Sequence, residues 1–258
     1  KFEKPEFHLS AEVGGAITTG NTMTRTFNGG VDGSYRWKRN RLTLDTGLNF
    51  GQSVPDANAD GVLDATERKA AAYEKNAGRY SADLRYDRFL GERDSLYILV
   101  GAFSDTFAGY ESRVHEQLGY SRILVDSEKV DLAAEIGFDV AQENYVAPED
   151  GTEVPDELIF AAKALVALDW KINESIGFSD KVEVYENVEI LEDFRLLNTA
   201  TFSAKLAERF SLKLSHALAF DNLPPGDLPR KDETSAGNQS PYAKVDQPTL
   251  ITFVATVL

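Results

Sequence analysis

Residues 56–67, DANADGVLDATE, set oxygen-bearing side chains at the spacing a calcium ion requires. Asp56, Asn58, Asp60, Asp64 and Glu67 fall at positions 1, 3, 5, 9 and 12 of a twelve-residue loop. Val62 takes position 7, where the backbone carbonyl is the ligand, and Gly61 takes position 6, where the chain turns sharply. Leu63 stands at position 8, which such loops fill with an apolar side chain. The pattern is that of an EF-hand loop, so Ca2+ is the expected ligand, with Glu67 bidentate and Asp64 direct or water-bridged. Its expected role is to order the loop, not to catalyse. The following ATERKAAAYEKN combines alanines with an acid-to-base pattern and reads as the exiting helix. The competing reading is a solvated acidic loop.

Other reactive groupings are weaker. His8 and Ser10 lie two apart and share a strand face, as a hydrolase dyad would. Their face is the one with Glu12, which is polar, whereas an enzyme acting on lipid would need the pair on the apolar side. A hydrogen-bonded histidine is the expectation. Ser215 and His216 are neighbours, so a strand would point them to opposite faces. The acidic stretch APEDGTEVPDE (147–157) has no ligand spacing and reads as a solvated loop.

The elements that carry these residues are strands. FHLSAEVGGAI places Phe7, Leu9, Ala11, Val13 and Ile17 on one face and His8, Ser10 and Glu12 on the other. VDLAAEIGFDVAQE repeats the alternation, with Leu132, Ile136 and Phe138 set against Asp131, Glu135, Asp139 and Glu143. About twelve such runs follow one another, near 7–18, 24–36, 41–52, 79–90, 95–105, 111–124, 130–142, 157–172, 176–188, 194–206, 210–221 and 247–258. Strands of ordinary globular proteins average about five or six residues, whereas a tilted membrane-spanning strand takes about 9–11. Every second connection is short (WKRNR, GERD, VDSEK, INE, AER), and the other set includes long polar segments near 53–78, 143–156 and 222–246. Short turns at one rim and long loops at the other are the outer-membrane barrel arrangement.

The expected fold is therefore all-β: a single antiparallel transmembrane β-barrel of about twelve strands over residues 1–258. The calcium-binding EF-hand-like motif and its short helix sit in an extracellular loop inserted at 53–78. A soluble sandwich or lipocalin-like barrel would also alternate, with its apolar face inward. No cysteine is present, so disulfides and thiolate metal sites are excluded. With 27 basic against 42 acidic residues the formal net charge is −15, which argues against a nucleic-acid partner. No run of 18 apolar residues offers a transmembrane helix. The chain opens KFEKPEFHLS without methionine, as expected of a mature form with its signal peptide removed.

Three blocks resemble a known family. AITTGNTMTRTFNGGVDGSYRW is similar to the opening hairpin of the salt-induced outer-membrane proteins, with Thr19-Gly20-Asn21-Thr22 at the turn. FAGYESRVHEQLGYSRILVDSEK (107–129) resembles their Gly-Tyr, Leu-Gly-Tyr and Asp-x-Glu signature, and FSLKLSHALAFDNLPPG (210–226) their late strand followed by Pro-Pro-Gly. The resemblance implies a bacterial outer-membrane barrel and carries over no catalytic residues. Two features depart from the family pattern: the insertion at 53–78, and Leu258 where such barrels usually end in an aromatic residue.

The expected lumen faces hold Glu12, Asp32, Arg36, Asp45, Asp83, Arg85, Asp87, Asp131, Glu135, Asp139, Lys163, Lys181, Glu183 and Lys205. These charges either pair and plug the interior or line a narrow, acid-biased path. The functional expectation is a narrow or plugged solute or ion channel, or a structural envelope protein. It would be a monomer in contact with outer-membrane lipid and lipopolysaccharide. A surface adhesin or partner-binding barrel acting through the long loops is the alternative, and an outer-membrane lipid hydrolase a more distant one.

Overall fold

The computed structural model describes residues 5–19, 23–56, 63, 65–70, 72–147, 156–224, 244–247 and 249–256. In chain order the strands are β1 (Glu6–Thr18), β2 (Thr24–Trp37), β3 (Asn40–Ser53), β4 (Glu74–Phe89), β5 (Asp94–Asp105), β6 (Tyr110–Asp126) and β7 (Val130–Tyr145). They continue as β8 (Glu157–Lys171), β9 (Ile176–Asn187), β10 (Phe194–Ala207), β11 (Phe210–Asp221), β12 (Val245–Asp246) and β13 (Thr249–Thr256). One helix, α1 (Ala65–Ala70), lies between β3 and β4. Each strand pairs antiparallel with its sequence neighbour, and β13 bridges β11 and β1, so twelve long strands close into a ring. Closure leaves no free edge, the condition for a sheet to cross a bilayer. The two-residue β12 also pairs with β11 and is an outlying start of the closing strand.

The period-two pattern decides which side faces out. Leu42, Leu44, Ile136, Phe138, Leu212 and Leu214 are all exposed on the outer wall, while Leu132 is half-covered. The fully buried side chains of the interior include Asp87, Asp139 and Glu143. An apolar exterior around a polar interior is the inverse of a soluble barrel and excludes the sandwich alternative.

The short connections are held locally. Trp37 and Asn40 enclose two residues, with Lys38 in the left-handed region at φ 50°. Asn173 Oδ1 accepts from the backbone N–H groups of Ser175 and Ile176 at 2.9 Å each, and Ser127 Oγ accepts from Val130 N at 2.9 Å. On the other rim Gly109, at φ 89°, allows the tight return from β5 to β6.

Two expectations need correction. Strand β4 begins at Glu74, not near 79, because Glu74 and Lys75 pair with Ser53 and Gln52 across a bulge at Gly51/Gln52. The exiting helix consequently stops at Ala70, and the end of the helix-prone stretch is strand. Local propensity favours helix there, but ladder hydrogen bonds to an existing strand win.

Candidate functional site

The lumen-facing side chains of β4–β10 form three groups of ion pairs, two of them linked through hydrogen bonds to Gln117. Near the short-turn end, Asp87 accepts from Arg85 at 2.8 Å and Arg41 at 3.2 Å, and Arg85 also reaches Glu135 at 2.8 Å. The Arg85 guanidinium lies 4.1 Å from the ring centre of Tyr97. That ring occupies space which two glycines leave free. A Cβ at Gly119 would stand 2.5 Å from the Tyr97 hydroxyl, and one at Gly137 2.8 Å from it.

At mid-height His115 bridges Asp83 (3.2 Å) and Asp139 (3.1 Å). Gly101 gives that bridge room, since a Cβ there would meet both Asp83 and His115. Lys163 donates to Gln117 at 2.7 Å and pairs with Glu183 at 3.2 Å, while Lys181 pairs with Glu183 at 2.7 Å. Toward the long-loop rim, Arg113 links Asp139 and Glu143 at 2.9 Å each. Arg195, across the lumen on β10, also binds Glu143 and lies 3.3 Å from both Asp193 and Asp221. Tyr110 closes the span from β6 to β11 through a 3.1 Å bond to Asp221, packed among Tyr145, Phe103, Ala108 and Leu223. Buried charges are costly unless paired, and this network pairs them, while Arg195 Nε, Asp193 Oδ1 and the Tyr97 hydroxyl are buried without a hydrogen bond.

The other wall is different. Asp32, Asp45 and Asp83 are register neighbours on β2, β3 and β4, forming a row of three carboxylates across the lumen face. Asp32 accepts from Ser10 Oγ at 3.3 Å. Two residues from that row along β1, Glu12 meets Lys213 of β11 at 3.2 Å. Here the side chains reach solvent: Asp45 is exposed, the Asp83 side chain is 37% accessible and that of Lys181 is 53%. Asp87, Asp139 and Glu143 are at 0%. Lys181 acts electrostatically on both Asp45 and Asp83 from the far side. The interior is therefore eccentric, with one side filled by paired charges and water reaching the side chains along the other.

Of the residues expected in the lumen, Glu12, Asp32, Asp45, Asp83, Arg85, Asp87, Glu135, Asp139, Lys163, Lys181 and Glu183 take part in these two walls. Sequence reasoning missed Arg113, His115, Gln117, Arg195 and the four tyrosines Tyr97, Tyr110, Tyr145 and Tyr185, the last of which donates to Glu183 at 3.0 Å. His8 and Ser10 do not form a dyad, since Ser10 donates to Asp32. On the outer wall His216 Nδ1 lies 2.9 Å from Thr249 Oγ1. Among the described residues no carboxylate bonds its other ring nitrogen, so no catalytic triad is assembled there.

Most of the calcium motif (Asn58, Asp60, Val62 and Asp64) lies outside the described residues. Its ends are described: Asp56 with Oδ1 turned away from solvent, Leu63 buried, and Glu67 in the first turn of α1. Among the described residues no group of three or more metal-type side chains gathers, and no helix is long and apolar enough to cross a membrane.

The family model described as "Protein of unknown function, DUF481" matches residues 11–238. The chain belongs to that family. None of the curated proteins matches the chain. Among solved structures, the NanC porin is similar over 96% of this chain and 100% of its own, at TM-score 0.53 and 7% identity, a likeness of fold alone. The translocator domain of autotransporter NalP from Neisseria meningitidis (10% identity, TM-score 0.44) covers 98% of this chain and 88% of its own. An anion-selective porin from Comamonas acidovorans (11%, 0.41) covers 98% and 100%. In this DUF481 member the lumen, not a surface dyad, is where polar side chains converge.

Proposed function

We propose that this barrel is a narrow, water-filled, cation-preferring passage across a bacterial outer membrane, running along the β1–β3, β11 and β13 side of the lumen. The observation that carries the reading is the asymmetry of the interior. Acids buried at 0% fill one side, while Asp45 is exposed on the other and Asp83 and Lys181, at the margin between the two, reach solvent. The row Asp32–Asp45–Asp83, with Lys181 opposite and Lys213 already paired with Glu12, biases the local field toward cations. The resemblance to the salt-induced outer-membrane proteins accords with a role at the envelope. So does the apolar outer wall, which suits lipid and lipopolysaccharide.

The loop carrying Asp56, Asn58, Asp60, Val62, Asp64 and Glu67 holds Ca2+ in this reading, with the dissociation constant of about 10⁻⁴–10⁻³ M usual for extracellular modules. The metal would order that loop without taking part in conduction. Planar-bilayer recording tests the channel: the expected result is small, stable steps whose reversal potential in a KCl gradient favours potassium. Large anion-selective steps, or no steps from folded protein, would overturn it.

A further inference from the structure

The outer wall carries a polar patch where lipid tails would otherwise lie. Asp180 on β9, Ala200 on β10, His216 on β11 and Thr249 on β13 are partners in one register row. Asp180 alternates outward with Phe178 and Val182, and His216, the seventh of twelve residues in β11, alternates outward with Leu214. Asn198, the neighbouring outward residue of β10, donates to Asp180 Oδ1 at 2.7 Å. His216 Nδ1 is bonded to Thr249 Oγ1 at 2.9 Å, and both residues are exposed. Phe202, Leu214, Ile251 and Phe253 border the patch on its short-turn side and are exposed too. A carboxylate and an imidazole at this depth are unfavourable against hydrocarbon, and intramembrane ionisable groups normally face protein or water.

We propose that a second copy of this chain docks on this wall, setting the Asp180 edge of one protomer against the His216 edge of its partner. Three points select that occupant. The patch holds an acid on one side of Ala200 and an imidazole on the other, so a two-fold axis along the membrane normal turns the acid side of one copy toward the imidazole side of the other, with the strand tilt setting the two groups about 6 Å apart in depth. A second copy inserted the same way carries its polar groups at the same depth, which lipid headgroups at the rims do not. Ala200 between the two groups lets the walls approach closely, as small residues do in membrane interfaces. This replaces the monomer expected from sequence, and it is independent of whether the lumen conducts.

The test uses the full chain in detergent micelles and in phosphatidylethanolamine/phosphatidylglycerol vesicles. The chain has no cysteine, so Ala200→Cys gives a single thiol on the axis. Oxidation should convert most of it to a disulfide dimer, while Leu118→Cys, on the β6 wall, should stay largely monomeric. In light scattering or sedimentation the wild type should be a dimer, and Asp180→His or His216→Asp alone should weaken association at least tenfold. Mixing the two variants restores both contacts and should restore the dimer. A monomeric wild type, equal crosslinking at both walls, or no recovery on mixing would overturn the proposal.

Discussion

Glu143 is fully buried, yet it binds two arginines from different strands, Arg113 of β6 and Arg195 of β10. Replacing it by alanine leaves both guanidinium groups without that partner in a desolvated place, a loss of about 3–5 kcal/mol for a broken buried pair. Glu143→Ala should therefore lower the unfolding midpoint in detergent markedly, read as loss of the compact band on unheated gels. An unchanged midpoint would mean that the network is ornamental. Part of this network was legible in the sequence. In RVHEQLG the alternation that exposes Val114 and Leu118 sends Arg113, His115 and Gln117 inward. Tyr97 was not legible: inside SLYILV it reads as one more apolar side chain, and only the glycines Gly119 and Gly137 on neighbouring strands make room for it. Arg195 was hidden because Leu197 shares its inward face and breaks the polar pattern.

The strands themselves were legible to within a few residues, because a closed barrel demands strict alternation over long spans and short turns impose their own chemistry. The start of β4 was not, because there helix propensity and strand pairing compete for the same residues, and pairing with β3 is a long-range effect that no local window contains. The preceding helix α1 carries the calcium prediction. Glu67→Gln removes the bidentate carboxylate and should weaken calcium binding in titration calorimetry at millimolar metal. The barrel should stay folded, since β3 and β4 pair below the loop. Wild type giving no heat above buffer would remove the metal from the account. Loss of the whole barrel in chelator would show that the loop supports more than itself.

At the scale of the molecule the sequence announces a barrel with mixed charges inside, and only the closed ring shows that the charges are sorted. One wall pairs them to burial; the other leaves Asp45 and Lys181 in water. No strand taken singly reveals this, because it depends on which strands face one another across the lumen. The absence of native cysteine allows a direct measurement. Single-channel current is recorded from Asp45→Cys and from Ala141→Cys, the latter at a lumen-side position of β7 that is fully buried, before and after a charged, membrane-impermeant thiol reagent. The account predicts that Asp45→Cys is modified within seconds and its current falls, while Ala141→Cys neither reacts nor changes. Equal reaction at both positions, or an inert Asp45→Cys in a conducting barrel, would contradict the eccentric passage.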